Sequence, residues 1–127
     1  MDLSKLTIEL LSIEEVHGDT LTDLEELINS VYAVAEAEFW VDGYKRTNAE
    51  ALLEAVQNSE VIGAKWKGDI IACVHLIVEG DGVAKFGMLS VPPKYEGNGI
   101  GGKLVKAAER YAFHSGCRKM ELELLTS

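Results

Sequence analysis

Apolar and polar residues change period several times along the chain, and each change marks an element. Leu6, Ile8 and Leu10 alternate with Thr7 and Glu9, the pattern of a half-buried strand over residues 6–11. Leu24, Leu27, Ile28, Val31 and Ala35 then recur at helical spacing, and Thr22 with Glu25 has the spacing of a capping box that would open this first helix. Thr47 with Glu50 predicts the same kind of start for a second helix carrying Leu52, Leu53 and Val56, which breaks at Asn58-Ser59. Residues 61–66 and 70–78 flank Lys67-Gly68-Asp69 as a β-hairpin, and Glu79-Gly80-Asp81-Gly82 turns the chain into a further strand over 83–91. Both parities of 70–78 are apolar apart from His75, which predicts a central strand covered on both faces. A last helix places Ile100, Leu104, Ala107, Ala108 and Tyr111 on one face and stops at Gly116, and a final strand follows over 120–125.

These elements predict an α/β (α+β) fold with a mixed central sheet: an antiparallel meander followed by a parallel strand-helix-strand unit. The junction inside that unit is the chemically loaded part of the chain. Pro92 and Pro93 end the strand, and Gly97, Gly99, Gly101 and Gly102 lead into the helix. The first turn of a helix has unpaired N–H groups at the positive end of its dipole, and glycines let a phosphate approach them without a Cβ in the way. A parallel crossover also sets this loop at the carboxyl end of its strand, where open α/β sheets bind ligands. The spacing implies a phosphate or pyrophosphate ligand.

Three phosphate motifs overlay these residues. Gly97, Gly102 and Lys103 have P-loop spacing, but Leu104 stands where that loop needs a hydroxyl for magnesium. Gly97, Gly99 and Gly102 also have dinucleotide-fingerprint spacing, with Glu121 near the place of a ribose-binding acid. Against that reading, Pro92 to Glu96 separate the strand from the first glycine, and Glu121 alternates with Leu122 as a strand residue does.

The third motif covers the most residues. The stretch LSVPPKYEGNGIGGKL resembles the acetyl-coenzyme A binding motif of the GNAT-type N-acetyltransferases. Leu89, Val91 and Pro93 form the apolar-x-Val-x-Pro strand end, Glu96-Gly97-Asn98-Gly99-Ile100-Gly101 the Gln/Arg-x-x-Gly-x-Gly/Ala loop, and a long helix follows. Glu96 departs from the usual Gln or Arg. The resemblance extends more weakly over residues 31–127. It implies the acyl-CoA N-acyltransferase fold and transfer of an acetyl group from acetyl-coenzyme A to a primary amine of a small molecule or peptide. It further implies a cofactor site formed by Leu89, Ser90 and Val91 with Glu96, Gly97, Asn98, Gly99, Ile100, Gly101, Gly102 and Lys103. In this family the loop between the first two helices often covers the acceptor, which points to Trp40 and Tyr44 for substrate binding. A non-catalytic acetyl-coenzyme A sensor and a module binding ATP or NAD are the alternatives from other classes.

Composition narrows the setting. The chain has 127 residues, 47% of them hydrophobic, which suits a single domain over 1–127. No apolar run approaches a membrane span and the N-terminus lacks signal-peptide features, so the expected compartment is the cytoplasm. Cys73 and Cys117 lack metal-site spacing and read as reduced structural thiols, and no metal is expected. The net charge of −9 argues against a nucleic-acid partner. Residues 92–127 nevertheless carry six Lys and Arg against four Asp and Glu, and Lys94, Lys103, Lys106 and Arg110 would favour an anionic ligand near the glycine loop.

The chemistry of acetyl transfer needs a base, donors for an oxyanion and an acid for the thiolate. Residues 89–91 can supply a backbone N–H, because family members splay this strand from its neighbour. Glu79, His75, Glu121 and Glu123 are chemically suited to act as the base, and no single catalytic residue is assigned. Family members normally continue past the final strand with a further helix and strands. Their absence here implies weak cofactor binding, little transferase activity, and an unpaired edge and apolar face around Leu122 and Leu124 through which the chain would self-associate, as in a homodimer, or recruit another segment.

Overall fold

The computed structural model describes residues 2–35, 47–78 and 82–122, and the structural statements below concern those residues. Five strands, β1 (Leu6–Leu10), β2 (Val61–Trp66), β3 (Asp69–Val78), β4 (Val83–Ser90) and β5 (Lys119–Leu122), lie in the order β1-β2-β3-β4-β5. The first four pair antiparallel with their neighbours, and β4 pairs parallel with β5 from Val83↔Lys119 to Phe86↔Leu122. The mixed sheet read from the hydrophobic pattern is thus present, and β3 is its central strand.

Three helices cover the two faces. α1 (Gly18–Ala35) and α2 (Ala49–Gln57) share one buried cluster, in which Leu24, Ile28, Leu52 and Val56 meet Val61, Cys73 and Met88 of the sheet. α3 (Ile100–His114) lies on the other face, where Ile100, Leu104 and Ala108 pack with Ile62, Val74 and Leu76. Tyr111 departs from the expected buried face of α3 and is exposed, and Ala112 takes the inward position instead. Positions 100, 104, 108 and 112 sit four apart, and the 3.6-residue period leaves 111 at the edge of that stripe.

Neither capping box forms. α1 begins four residues before Thr22, whose Oγ1 donates back to the Gly18 carbonyl at 3.3 Å, so Thr22 is an interior residue. At α2 the cap is Asn48, whose backbone is extended and whose side chain accepts from the Ala51 N–H at 2.8 Å. Thr47 is occupied otherwise: its N–H donates to Asn29 Oδ1 at 2.9 Å and its carbonyl accepts from Asn29 Nδ2 at 3.0 Å, tying the entry of α2 to α1. Asn48→Ala is therefore expected to destabilise the protein by about 1 kcal/mol in urea denaturation. An unchanged unfolding midpoint would show that the cap contributes nothing.

The final strand is described as far as Leu122, so the expected apolar edge at Leu124 lies outside the described residues. No described helix is long and apolar enough to cross a membrane.

Candidate functional site

The parallel pair β4–β5 sets the glycine loop at the carboxyl end of β4. Pro92 and Pro93 stop the ladder and fold the chain into a single 3-10 turn over Pro93–Tyr95, with Tyr95 N–H donating to Pro92 O at 2.9 Å and Glu96 N–H to Pro93 O at 3.1 Å. Asn98 Nδ2 closes the turn by donating to Tyr95 O at 3.0 Å. Gly97 and Gly99 both have left-handed backbones, with φ of 84° and 74°, and Gly99 is the N-cap of α3.

Gly99 has no side chain with which to cap the helix, and the first intrahelical bond runs from Lys103 N–H to Gly99 O at 3.1 Å. The N–H groups of Ile100, Gly101 and Gly102 therefore point out of the helix end without a side-chain acceptor. Their surroundings are open. A Cβ placed on Gly97, Gly99 or Gly102 would meet nothing within 4 Å, and one on Gly101 would meet only Val91 Cγ2 at 3.8 Å and Leu89 Cδ2 at 3.9 Å. Ile100 and Leu104 are buried, anchoring the helix while its end faces solvent. The arrangement can hold an anion against three amides and a helix dipole.

Of the basic residues, Lys94 and Lys103 stand at the loop, and Lys94 Nζ lies 5.1 Å from the centre of the Tyr95 ring. Lys106 and Arg110 lie about two and three turns along α3. With Lys103 they line a groove of about 500 Å³ between α3 and β1. Glu96 is exposed beside the loop.

Just before the loop, β4 carries a β-bulge. Its register against β3 moves from His75↔Gly87 to Cys73↔Ser90, so that Met88 and Leu89 together stand opposite Val74. Met88 takes φ 49°, a left-handed conformation uncommon outside glycine. Ser90 is fully buried and braces the kink, its Oγ donating to the Met88 carbonyl at 2.9 Å. Beneath it, burial pushes the Cys73 thiol up to about 12, opposed by a hydrogen bond with Ser90. A bulge of this kind takes backbone groups out of the ladder at Met88 and Leu89; the strand ends at Ser90, and Leu89 and Val91 stand next to Gly101 of the glycine loop.

The expected acceptor-binding aromatics Trp40 and Tyr44 lie outside the described residues, as do Glu79 and Glu123. Glu121 stands opposite Lys85 in the parallel register, on the far side of β4 from β3. His75 is half-buried on the α2 face, and its Nε2 lies 3.2 Å from Glu60 Oε1. The Met88 bulge and the Glu60 partner were not anticipated. The bulge leaves no sequence signal, whereas the Glu60 contact is implicit in the hairpin register that brings Val61 opposite His75.

A strand–glycine loop–helix cradle beside a bulged strand on a mixed sheet can hold a phosphorylated ligand, and comparison with known proteins gives its class. The sequence profile of the acetyltransferase (GNAT) family matches residues 21–127, so the chain belongs to that family and is an acyltransferase with acetyl-coenzyme A as co-substrate. A comparison with curated proteins finds no match. Among solved structures, the PaiA N-acetyltransferase of Thermoplasma acidophilum, in complex with coenzyme A, is 23% identical with a TM-score of 0.72, covering 90% of this chain and 77% of its own. An aminoglycoside acetyltransferase from an uncultured soil metagenomic sample, in complex with sisomicin, is 18% identical with a TM-score of 0.66, over 97% and 80%. The diaminobutyrate acetyltransferase EctA of Paenibacillus lautus, in complex with L-2,4-diaminobutyric acid and coenzyme A, is 12% identical with a TM-score of 0.69, over 94% and 65%. At these identities the likeness establishes the shared fold.

Proposed function

We propose that this protein transfers the acetyl group of acetyl-coenzyme A to a primary amine of a small molecule or peptide. The observation that carries the reading is the uncapped start of α3 at Gly99, open on its outer face and set directly behind the bulge of β4. In this proposal the amides from Gly97 to Lys103 hold the pyrophosphate, and the backbone of Leu89, Ser90 and Val91 holds the thioester arm. The structural neighbours in complex with sisomicin and with diaminobutyric acid favour an amine acceptor.

Denaturation with coenzyme A, ATP or NAD tests the ligand assignment. Coenzyme A at a hundred times its dissociation constant is expected to add about 2.7 kcal/mol of stability. A gain with ATP or NAD and none with coenzyme A would reject the assignment. Acetyl-coenzyme A consumption against an amine panel then separates an enzyme from a cofactor sensor.

Glu96 gives a second, smaller expectation. Its carboxylate is exposed and no described group pairs with it, so a bound pyrophosphate repels it across solvent. Glu96→Gln is expected to tighten coenzyme A by no more than about 1 kcal/mol, and more at low salt than at high. Weaker binding at every salt concentration would mean that Glu96 supports the loop.

A further inference from the structure

On the face opposite α3, a cleft of about 230 Å³ opens between the start of α2 and the middle of β3 and β4. Thr47, Ala51 and Ala55 wall it on the helix side, and Ile77, Gly87 and Met88 on the sheet side. His75 is the only titratable side chain among the described residues that line it. Its Cα pairs with Gly87, the residue immediately before the bulge, so the imidazole stands beside the stretch of β4 whose backbone leaves the ladder. The cleft and the glycine loop thus approach that stretch from opposite faces of the sheet.

The imidazole is oriented. Glu60, at the entry to β2, holds Nε2 at 3.2 Å, and a carboxylate can only accept, so Nε2 carries the hydrogen. Nδ1 then presents a lone pair, and it has no hydrogen-bond partner among the described residues. A histidine serving only the core would have both nitrogens hydrogen-bonded. Here the His75 and Glu60 side chains remain 19% and 25% exposed.

We propose that His75 is the proton acceptor for an amine bound in this cleft, with Glu60 as the residue that positions it. This rests on the acetyl-transfer reading above. The neutral amine nitrogen attacks the thioester carbon as one of its N–H protons passes to Nδ1. The C–N bond forms, the C–S bond breaks, and the imidazolium proton neutralises the departing thiolate directly or through water, giving the amide and free coenzyme A. Among the described residues the lining is otherwise uncharged, which fits a monoamine on a compact apolar group better than a polycation. Among the described residues, the other titratable groups facing the imidazole are Cys73, whose burial-raised thiol (about 12) stays protonated, and Lys85, which pairs with Ile77 on the same face and has an interaction of its own. α2 brings no titratable side chain to the cleft.

The test uses the full chain with acetyl-coenzyme A and benzylamine. His75→Gln is expected to bind coenzyme A as the unaltered protein does and to lower kcat/KM for benzylamine by about 10²–10⁴-fold. Glu60→Gln is expected to lower kcat/KM less, with partial recovery in Glu60→Asp. Nitrogen-15 spectra of the imidazole should show the Nε2–H tautomer in the unaltered protein and a mixture of tautomers in Glu60→Ala, which has no acceptor at that place. Undiminished turnover by His75→Gln overturns the inference. It is equally overturned if coenzyme A binds but benzylamine neither shifts the His75 ring resonances nor is acetylated. Failure of the unaltered chain to bind coenzyme A would instead remove the acetyl-transfer reading, and this inference with it.

Discussion

Gly101→Val is expected to weaken coenzyme A binding at least a hundredfold while leaving the unfolding free energy within about 1 kcal/mol of its original value. The two effects separate because the position is helical yet open. An added Cβ would meet Val91 and Leu89 at ordinary contact distance, 3.8 and 3.9 Å, so the backbone has no need to move. Glycine inside a helix is the poorer helix former by up to about 1 kcal/mol, and valine's own propensity cost roughly cancels that gain. The branched carbons, however, enter the space over the first-turn amides. Losing two charge-assisted hydrogen bonds of about 1.5–3 kcal/mol each accounts for a hundredfold or more. Gly101→Ala is the control: it should raise stability by up to about 1 kcal/mol and keep the ligand, since its single methyl lies against Leu89 and Val91. Gly99→Val cannot serve, because φ of 74° at the N-cap would strain any branched residue and disturb the helix start itself. Calorimetric titration beside urea denaturation reads both quantities, and full affinity in Gly101→Val would remove the amides of this turn from the site.

The parts of this fold that announce themselves in sequence are those where one residue type has no alternative. Pro92 and Pro93 cannot continue a ladder, and Gly97 and Gly99 occupy backbone angles that side chains rarely adopt, so the strand end, the loop and the start of α3 follow from the residues alone. The doubly apolar run of β3 likewise admits only a central strand. Helix starts were less determinate, because a Thr followed three residues later by Glu also occurs inside helices and beside better caps. Thr22 sits four residues into α1, and at α2 a tertiary contact from Asn29 claims Thr47, so that Asn48 caps instead. The bulge was invisible for a different reason. Its left-handed residue is Met88 rather than the adjacent Gly87, and what holds it there is the buried Ser90 hydroxyl, a contact no local propensity encodes. The pairing of His75 with Glu60 likewise depends on how far the β2–β3 hairpin runs and on the register shift between Ala64 and Lys65.

Leu104→Ala is expected to lower the unfolding free energy by about 2–5 kcal/mol. Leu104 is fully buried one turn beyond Ile100, in the cluster that joins α3 to Ile62, Val74 and Leu76 of the sheet. Replacing it removes the transfer energy of its side chain and leaves a cavity, because β3 is fixed in the sheet by ladders on both sides and cannot collapse inward. The same residue tests whether the seat of the helix and the ligand site are one mechanical unit. Coenzyme A at a hundred times its dissociation constant for the unaltered protein should return about 2.7 kcal/mol to that protein. If the Ile100 anchor alone keeps the first turn in place, the variant gains the same increment and stays folded with ligand over a range of urea in which it unfolds without it. If the first turn tilts away when Leu104 is lost, the increment shrinks towards zero. A stability loss below about 1 kcal/mol would show that α3 is not held through this contact.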